Sequence, residues 1–205
     1  MFMNKEFLKQ KPILKKIFDI VSAIDPIDDI EEAHIKDALE WITTAESIFR
    51  IKKPDVPNKH LVSGLIVFDE AAKKILLTDH KQAQRWMPTG GHVEINEDPK
   101  EAARRECMEE LGIEAEFWVD DPIFLTSTIT AGLTPGHTDV SLWYVLKGNH
   151  QAQYKFDTEE FHSIKWFTFD ELLHKQFDPH MRRFLKKLQH IIQCKNNSNF
   201  FEDDN

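Results

Sequence analysis

Glutamates are concentrated in the 23 residues from Gly91 to Ile113, GHVEINEDPKEAARRECMEELGI. On a helix each residue advances by about 100°, so Glu106, Glu109 and Glu110 share one arc of about 100°. Like charges at these offsets destabilise a helix. Carboxylate oxygens are the ligands that Mg²⁺ and Mn²⁺ prefer, and these ions usually share their coordination with substrate phosphates. The spacing therefore predicts a divalent-metal site that takes a phosphate ester.

The helix that carries these side chains has sequence signals at both ends. Asp98 can cap it, Pro99 fits the first helical position, and Glu101 stands where a capping box places it. Gly112 can close the C-terminus. The signals predict a helix from about Pro99 to Leu111. Its packed side is predicted to consist of Ala103, Cys107 and Leu111.

A solvated acidic face is the ordinary explanation of a glutamate-rich helix. Two features of this chain argue against that explanation. Arg105 lies beside the glutamates, and the preceding loop TGGHVEINE contains Gly90 and Gly91, which permit positive φ and close approach of the backbone. We therefore predict that this segment carries the chemistry.

The segment resembles the Nudix box. The pattern of that family is G, five residues, E, seven residues, R-E, an aliphatic residue, any residue, E-E, any residue, G and an aliphatic residue. The chain supplies these positions in register as Gly91, Glu97, Arg105, Glu106, Glu109, Glu110, Gly112 and Ile113. Cys107 takes the aliphatic position after Glu106, and a free cysteine packs as a small hydrophobe. The flanking segments WMPTGG and IKWFTFDEL also resemble the family, so the resemblance covers about Lys59 to Gln193.

The resemblance implies an α/β fold, the Nudix α/β/α sandwich with a mixed sheet, and a hydrolase of phosphoanhydride bonds. Catalysis is assigned to Glu109, Glu106 and Arg105. The cofactor would be Mg²⁺, with Mn²⁺ as the alternative, held by Glu106, Glu109 and Glu110. By the family pattern Arg105 orients the glutamates through a salt bridge. Glu97 supports the loop or adds a metal contact, and the backbone carbonyl near Gly91 is a further ligand.

The sequence leaves alternatives open for the general base and for the residues that contact the substrate. The base is either a box glutamate such as Glu109 or a later carboxylate, Glu159 or Glu160, and surface charge explains that later pair equally well. Glu160, His137 and Trp86 are the predicted contacts to substrate. A lone His is usually a surface or packing residue, and an aromatic ahead of the box can equally belong to the core.

The substrate is predicted by elimination among the subfamilies of the resemblance. The chain has no Pro at the ADP-ribose-type offset and no SQPWPFP-like run. Residues Ser127 to Thr130 occupy the region where dinucleoside-polyphosphate enzymes have a Tyr, and His80 stands where the coenzyme A signature has an arginine. We therefore predict a pyrophosphohydrolase that cleaves a nucleoside diphosphate linked to another moiety, with nucleoside triphosphates favoured.

Two other functions share this fold. A non-catalytic nucleotide-sensing protein is the main alternative, but such proteins tend to lose box glutamates, and this chain keeps them all. An isomerase of isoprenoid diphosphates expects a catalytic cysteine and a degenerate box. Cys107 instead falls on the packed side of the predicted helix, which argues against the isomerase.

Composition favours a soluble cytoplasmic enzyme with a small nucleotide as its partner. The 205 residues, with 41% hydrophobic content and 15 Phe, can bury one substantial core. No run approaches 18 consecutive apolar residues, so no membrane partner is predicted. The two cysteines lie in no metal or redox spacing, which fits a reducing compartment. The net charge of −9 argues against general nucleic-acid binding.

The N-terminal third is predicted to be a helical extension, residues 1–58, ahead of a Nudix domain at 59–193 and a flexible tail at 194–205. Apolar residues recur at helical spacing from about Asn4 to Ile51, with a break at Asp25-Pro26 and a second helix from Ile30 to Phe49. The extension is a candidate lid, packing element or homodimer contact. Predicted strands of the domain are Leu61–Phe68, Lys74–Thr78, Glu114–Val119, Ile123–Thr130, Asp139–Leu146 and His162–Phe169, with a helix at about Pro179–Gln193.

Overall fold

The computed structural model describes residues 8, 10–53, 55–130, 133, 136–174 and 177–199. Its helices within these ranges are α1 Pro12–Ser22, α2 Asp29–Thr44, α3 Pro99–Leu111, α4 Phe169–His174 and α5 Met181–Asn199. Its strands are β1 Lys59–Asp69, β2 Lys74–His80, β3 Arg85–Met87, β4 Thr89–His92, β5 Phe124–Ile129, β6 Thr138–Lys147 and β7 Phe161–Thr168. Among these helices, none is both long and apolar enough to cross a membrane.

The seven strands form one mixed sheet with β1 near its centre. Along one edge β1 runs parallel to β6, and β6 pairs with antiparallel β5. Along the other edge the first half of β1 pairs with β4 and its end pairs with β2, both antiparallel. Strand β2 also pairs with β3 and β7. This forked arrangement places the end of β4 beside the start of β1, where α3 begins.

Helices cover both faces of the sheet, as the alternation of apolar residues along β6 indicates. Leu142 and Tyr144 pack in the core that contains the apolar side of α3. Trp143 and Val145 pack in the opposite core, which contains Phe184 of α5. Complete burial of such side chains contributes about 1.5–3 kcal/mol each. The predicted α/β/α sandwich with an N-terminal helical extension is confirmed.

The N-terminal extension is attached to the rest of the molecule through charged pairs as well as apolar packing. Asp28 caps α2 by accepting a hydrogen bond from the Glu31 N–H, and it also accepts two hydrogen bonds from Arg183 of α5, at 2.6 and 2.7 Å. Glu31 pairs with Lys187 at 2.7 Å. The domain boundaries stay a prediction. Helix α5 reaches Asn199 and so includes the first six residues of the predicted tail, and residues 200–205 lie outside the described residues.

Two predicted elements differ from the structure. Helix α2 ends at Thr44 rather than Phe49, and the following Ile48 and Phe49 are buried in a non-helical segment whose Ile48 carbonyl accepts a hydrogen bond from the Leu61 N–H. The predicted strand at Glu114–Val119 is reduced to one bridge, between Phe117 and Leu146. In both places the apolar pattern reports burial correctly, but burial does not fix the backbone conformation. Residues 1–7 and 9, part of the first predicted helix, lie outside the described residues.

Candidate active site

Helix α3 begins and ends where its sequence signals predict. The Asp98 side chain accepts a hydrogen bond from the Lys100 N–H at 2.9 Å, and Gly112 closes the helix in the left-handed conformation, with φ 63°. Glu101 pairs with Arg104 at 3.4 Å, so its ion pair lies within the helix and is not the reciprocal capping contact. The two ends of the helix are therefore set by residues of the segment itself and do not depend on tertiary contacts.

The apolar side of α3 docks on the sheet. Ala103, Cys107 and Leu111 are completely buried, as predicted. Near the start of the helix, the Ser63 hydroxyl of β1 donates a hydrogen bond to the Pro99 carbonyl at 2.7 Å. Burial raises the pKa of the Cys107 thiol to about 12, with a smaller contribution from the charge of Glu110. Cys107 is therefore a packed neutral thiol and not a nucleophile.

Arg105 joins the loop before α3 to the glutamates of the helix. Its Nε and Nη2 donate to the two oxygens of Glu97, at 3.0 Å each. Its Nη1 lies 2.5 Å from Glu106 Oε1 and 3.4 Å from Glu109 Oε2, and Nη2 also donates to the His92 carbonyl at 3.0 Å. Because a guanidinium presents its donors in a fixed plane, this set of contacts fixes both the loop and the two glutamates.

The two glycines of the loop bring the backbone of β4 against these carboxylates. A Cβ on Gly91 would overlap the Glu106 carboxylate, so only glycine leaves room for that side chain. Gly90 has φ 133°, and its N–H donates a hydrogen bond to Glu110 Oε2 at 2.9 Å. The strand backbone and the acidic side of α3 therefore form the two walls of one site.

Negative charge is in excess at this site. Burial raises the pKa of Glu110, the Gly90 N–H lowers it, and the nearby charges of Glu106 and Glu160 raise it further. Burial also raises the pKa of Glu106, although Arg105 opposes that shift. A buried group of carboxylates with one guanidinium is neutralised either by protons or by a further cation. Oxygen donors of this kind fit a hard divalent ion.

The family comparison agrees with this geometry. The family model described as NUDIX domain matches residues 58–188. The chain belongs to the Nudix hydrolase family. The structure of a Nudix-family hydrolase from Clostridium perfringens has a TM-score of 0.53 at 21% identity, and the match covers 64% of this chain and 97% of that one. No curated protein sequence matches the chain.

Two further solved structures are similar to this Nudix protein with lower scores. A C. elegans Ap4A hydrolase has a TM-score of 0.49 at 20% identity, and the match covers 64% of this chain and 98% of that one. The E. coli dihydroneopterin triphosphate pyrophosphohydrolase has a TM-score of 0.43 at 20% identity, covering 52% of this chain and 79% of that one. The sequence-based prediction of the family, the fold and a Nudix hydrolase is confirmed by the family model.

The predicted site residues of the Nudix protein occupy three separate places in the structure. Most of them lie together around the start of β1 and the acidic side of α3. These residues are Gly91, Glu97, Arg105, Glu106, Glu109, Glu110 and Glu160. Trp86 packs edge-on against Phe167, with ring centroids 5.2 Å apart, in the core on the α5 face. His137 lies with other histidines rather than with the glutamates. The roles of Trp86 and His137 stay predictions.

The histidine group around His137 was not predicted from the sequence. Among the described residues, potential ligand atoms of Asp55, His60, His92 and His137 all lie within 4.8 Å of one another. These side chains come from segments that are distant in sequence, so no short motif contains them. The signal that could have found them is a histidine or aspartate at the end of each of three neighbouring strands, and it requires the strand pairing to be known.

Proposed function

We propose that this Nudix hydrolase is a divalent-metal-dependent pyrophosphohydrolase that cleaves a nucleoside diphosphate linked to another moiety. Nucleoside triphosphates are the favoured substrates, and the proposed cofactor is Mg²⁺, with Mn²⁺ as the alternative. The observation that carries the proposal is the excess of carboxylate at one site, where Glu106 and Glu110 meet the backbone of Gly90 and Gly91 and receive too little positive charge from Arg105. That excess is suited to divalent ions, which would be bound by the carboxylates and by a diphosphate at the same time.

The metal ligands proposed are Glu106, Glu109 and Glu110, with the carbonyl of Gly91 beside them. When bound, divalent ions would acidify a water molecule and neutralise charge on the phosphate oxygens. Arg105 holds Glu106 and Glu109 in position for this role. Both oxygens of Glu97 are already engaged by Arg105, so its support of the loop is favoured over direct metal contact.

Glu109 is the residue proposed to take a proton from the attacking water. Its side chain is 59% exposed, and the Arg105 contact at 3.4 Å is the longest of the three ion pairs that this guanidinium makes with carboxylates. A loosely held, exposed carboxylate can reach both a metal and a water molecule. Glu160 remains the competing candidate, because its charge acts on both Glu106 and Glu110.

The substrate class rests on the sequence rather than on the similar structures. The chain departs from the accessory signatures of several other Nudix substrate classes. Its net charge of −9 favours a small ligand whose charge is neutralised locally over an extended nucleic-acid surface. A cytoplasmic location and a homodimer stay predictions of the sequence.

The test is release of phosphate or pyrophosphate from nucleoside triphosphates, nucleotide sugars, ADP-ribose and dinucleoside polyphosphates, with Mg²⁺, with Mn²⁺ and with chelator. Turnover of nucleoside triphosphates that depends on the metal and is lost in Glu109→Gln is the expected result. Glu101→Gln is the matched control, since Glu101 lies on the same helix, is 65% exposed and pairs with Arg104 outside the site. Tight nucleotide binding without turnover of any substrate would instead identify a nucleotide sensor.

A further inference from the structure

A second cluster of metal-ligating side chains lies on the sheet face opposite α3. His60 of β1 is directly paired with Asp139 of β6, and His92 of β4 is paired with Val62 of β1, two residues along the same strand. Because side chains alternate across a strand, residues 60, 62, 92 and 139 point to one face. His137 precedes β6, and Asp55 lies in the segment before β1.

We propose that this cluster is a second metal site, which takes a transition-metal ion of the Zn²⁺ class with Asp55, His60, His92 and His137 as its ligands. Imidazole nitrogen suits Zn²⁺ and related ions, whereas Mg²⁺ prefers oxygen. The site therefore differs in chemistry from the glutamate site of α3. It also differs in position, because Gly91 faces Glu106 on one side of β4 while His92 points to the other.

The donor atoms lie close enough together to surround a four-coordinate ion once their side chains move inward. One ligand atom from each of the four residues lies within 4.8 Å of all the others. His60 Nε2 lies 2.8 Å from His92 Nε2, and His137 Nδ1 lies 3.4 Å from Asp55 Oδ2. Tetrahedral Zn²⁺ with bonds of about 2.0–2.1 Å separates its ligand atoms by roughly 3.3 Å. Separations that reach up to 4.8 Å must shorten by up to roughly 1.5 Å, a movement that two side chains can share.

His60 is oriented as a metal ligand would be. Its side chain is completely buried, and its Nδ1 lies 3.0 Å from the Pro57 carbonyl. A carbonyl only accepts, so Nδ1 carries the hydrogen and Nε2 of the neutral ring is left with its lone pair directed into the cluster. Metal-binding histidines usually donate their second N–H to a carbonyl or a carboxylate in this way.

A network of hydrogen bonds in which His60 is neutral leaves one contact unexplained. Asp139 Oδ1 is buried and receives no hydrogen bond from the described residues, yet it lies 3.1 Å from His60 Nε2 and 3.3 Å from His137 Nε2. With neutral His60, a carboxylate oxygen faces a lone pair, which is repulsive. A cation in the cluster removes that repulsion. The competing explanation is a second proton on His60, and a metal-binding measurement separates the two.

A bound ion would connect three strands next to the Nudix site. It would join the start of β1, the end of β4 and the residue before β6. The carbonyl of His92 accepts a hydrogen bond from Arg105 Nη2 at 3.0 Å, so the ligand residue also contacts the guanidinium that organises the glutamates. We infer that the ion stabilises the strand ends from which the catalytic loop departs.

The experiment uses the full chain without a histidine tag. Zn²⁺ is titrated in excess Mg²⁺, and Co²⁺ is used as a probe because its visible absorption reports four-coordinate geometry. One equivalent of Zn²⁺, a four-coordinate Co²⁺ spectrum and a rise in melting temperature on adding Zn²⁺ are expected. His137→Asn and Asp55→Asn, both at the margin of the cluster, should weaken Zn²⁺ affinity by about 100-fold or more, since changes outside the ligand shell already cost about 10–100-fold.

His174→Asn is the control, because His174 is 74% exposed on α4 and pairs with Asp170. It should bind Zn²⁺ like the wild type. Glu109→Gln should also retain Zn²⁺ binding while losing turnover. Failure of the zinc-site proposal can therefore be distinguished from failure of the proposed hydrolase function. Absence of stoichiometric binding by the wild type, or unchanged affinity in both His137→Asn and Asp55→Asn, would overturn the proposal and leave the protonated network as the explanation.

Discussion

Two charged networks of this protein contain buried glutamates and arginine, but they are balanced differently. Where the N-terminal extension meets α5, Asp28 pairs with Arg183 and Glu31 pairs with Lys187. At the Nudix site one guanidinium, Arg105, contacts three carboxylates, and two more lie close by. The first network is neutral within itself. The second requires positive charge from outside the chain.

Glu31 and Glu110 show the difference at the level of one residue type. Both are buried, with 0% and 6% exposure. Glu31 accepts hydrogen bonds from the N–H groups of Ile27 and Leu125 and from the Lys187 ammonium. Glu110 accepts from the Gly90 N–H, and its other charged neighbours, Glu106 and Glu160, are themselves acidic. Burial of a carboxylate therefore does not distinguish a functional site from a structural one, whereas the charge balance around it does.

Glu110→Gln should have the largest effect on the Nudix site. Turnover should fall by about 10³-fold or more, equivalent to about 4 kcal/mol of transition-state stabilisation, because a metal ligand is lost. The glutamine oxygen can still accept from the Gly90 N–H, and a carboxyl group whose ionised form is disfavoured by burial is replaced by a neutral amide, so stability should be unchanged or higher. Steady-state kinetics and urea unfolding measure the two effects. A destabilised variant with normal turnover would show that Glu110 is structural, like Glu31.

The opposite result is expected when the balanced network is broken. Lys187→Met leaves the Glu31 charge buried without its ammonium and should lower the free energy of unfolding by about 3 kcal/mol. Turnover per folded molecule should stay normal. Lys186→Met, a change at the exposed neighbouring position of α5, is the matched control. Adding Glu31→Gln to Lys187→Met should recover part of the loss, and strictly additive losses would refute the coupling of the two side chains.

The sequence predicts the Nudix site better than its surroundings because the signals for the site are local. The caps at Asp98 and Gly112 and the offsets between Arg105 and its glutamates all lie within a few helical turns, so spacing alone gives their arrangement. The contact between Glu160 and Glu110 depends on how β7 enters the sheet, and the sequence left it open. The histidine cluster depends on the register of β1 with β4 and β6, which no local pattern specifies.

The predicted end of α2 at Phe49 was wrong for a different reason. The apolar residues Ile48 and Phe49 continue the helical spacing, and both are buried as that spacing requires. The chain nevertheless leaves the helix after Thr44, and the Ile48 carbonyl accepts a hydrogen bond from the first residues of β1, at Leu61. A tertiary hydrogen bond thus overrides a local propensity of a few tenths of a kcal/mol per residue, as an order of magnitude.

The smallest expected effect is the pH dependence of the Asp28 pair. Hydrogen bonding to Arg183 lowers the pKa of Asp28 from 3.8 to about 2, although partial burial opposes the shift. A folded-state pKa below the unfolded one contributes stability that is complete above the unfolded pKa and is lost as pH falls through the folded value. Because the Asp28 side chain is 36% exposed, solvent screening reduces the contribution to about 1 kcal/mol.

Asp28→Asn isolates this charge, because asparagine caps a helix as well as aspartate does. The difference in unfolding free energy between wild type and Asp28→Asn should be constant above about pH 5 and fall to roughly half at pH 3. A difference that stays constant down to pH 3 would show that the pair stabilises the extension through shape and hydrogen bonding alone, and that charge balance is not what distinguishes it from the Nudix site.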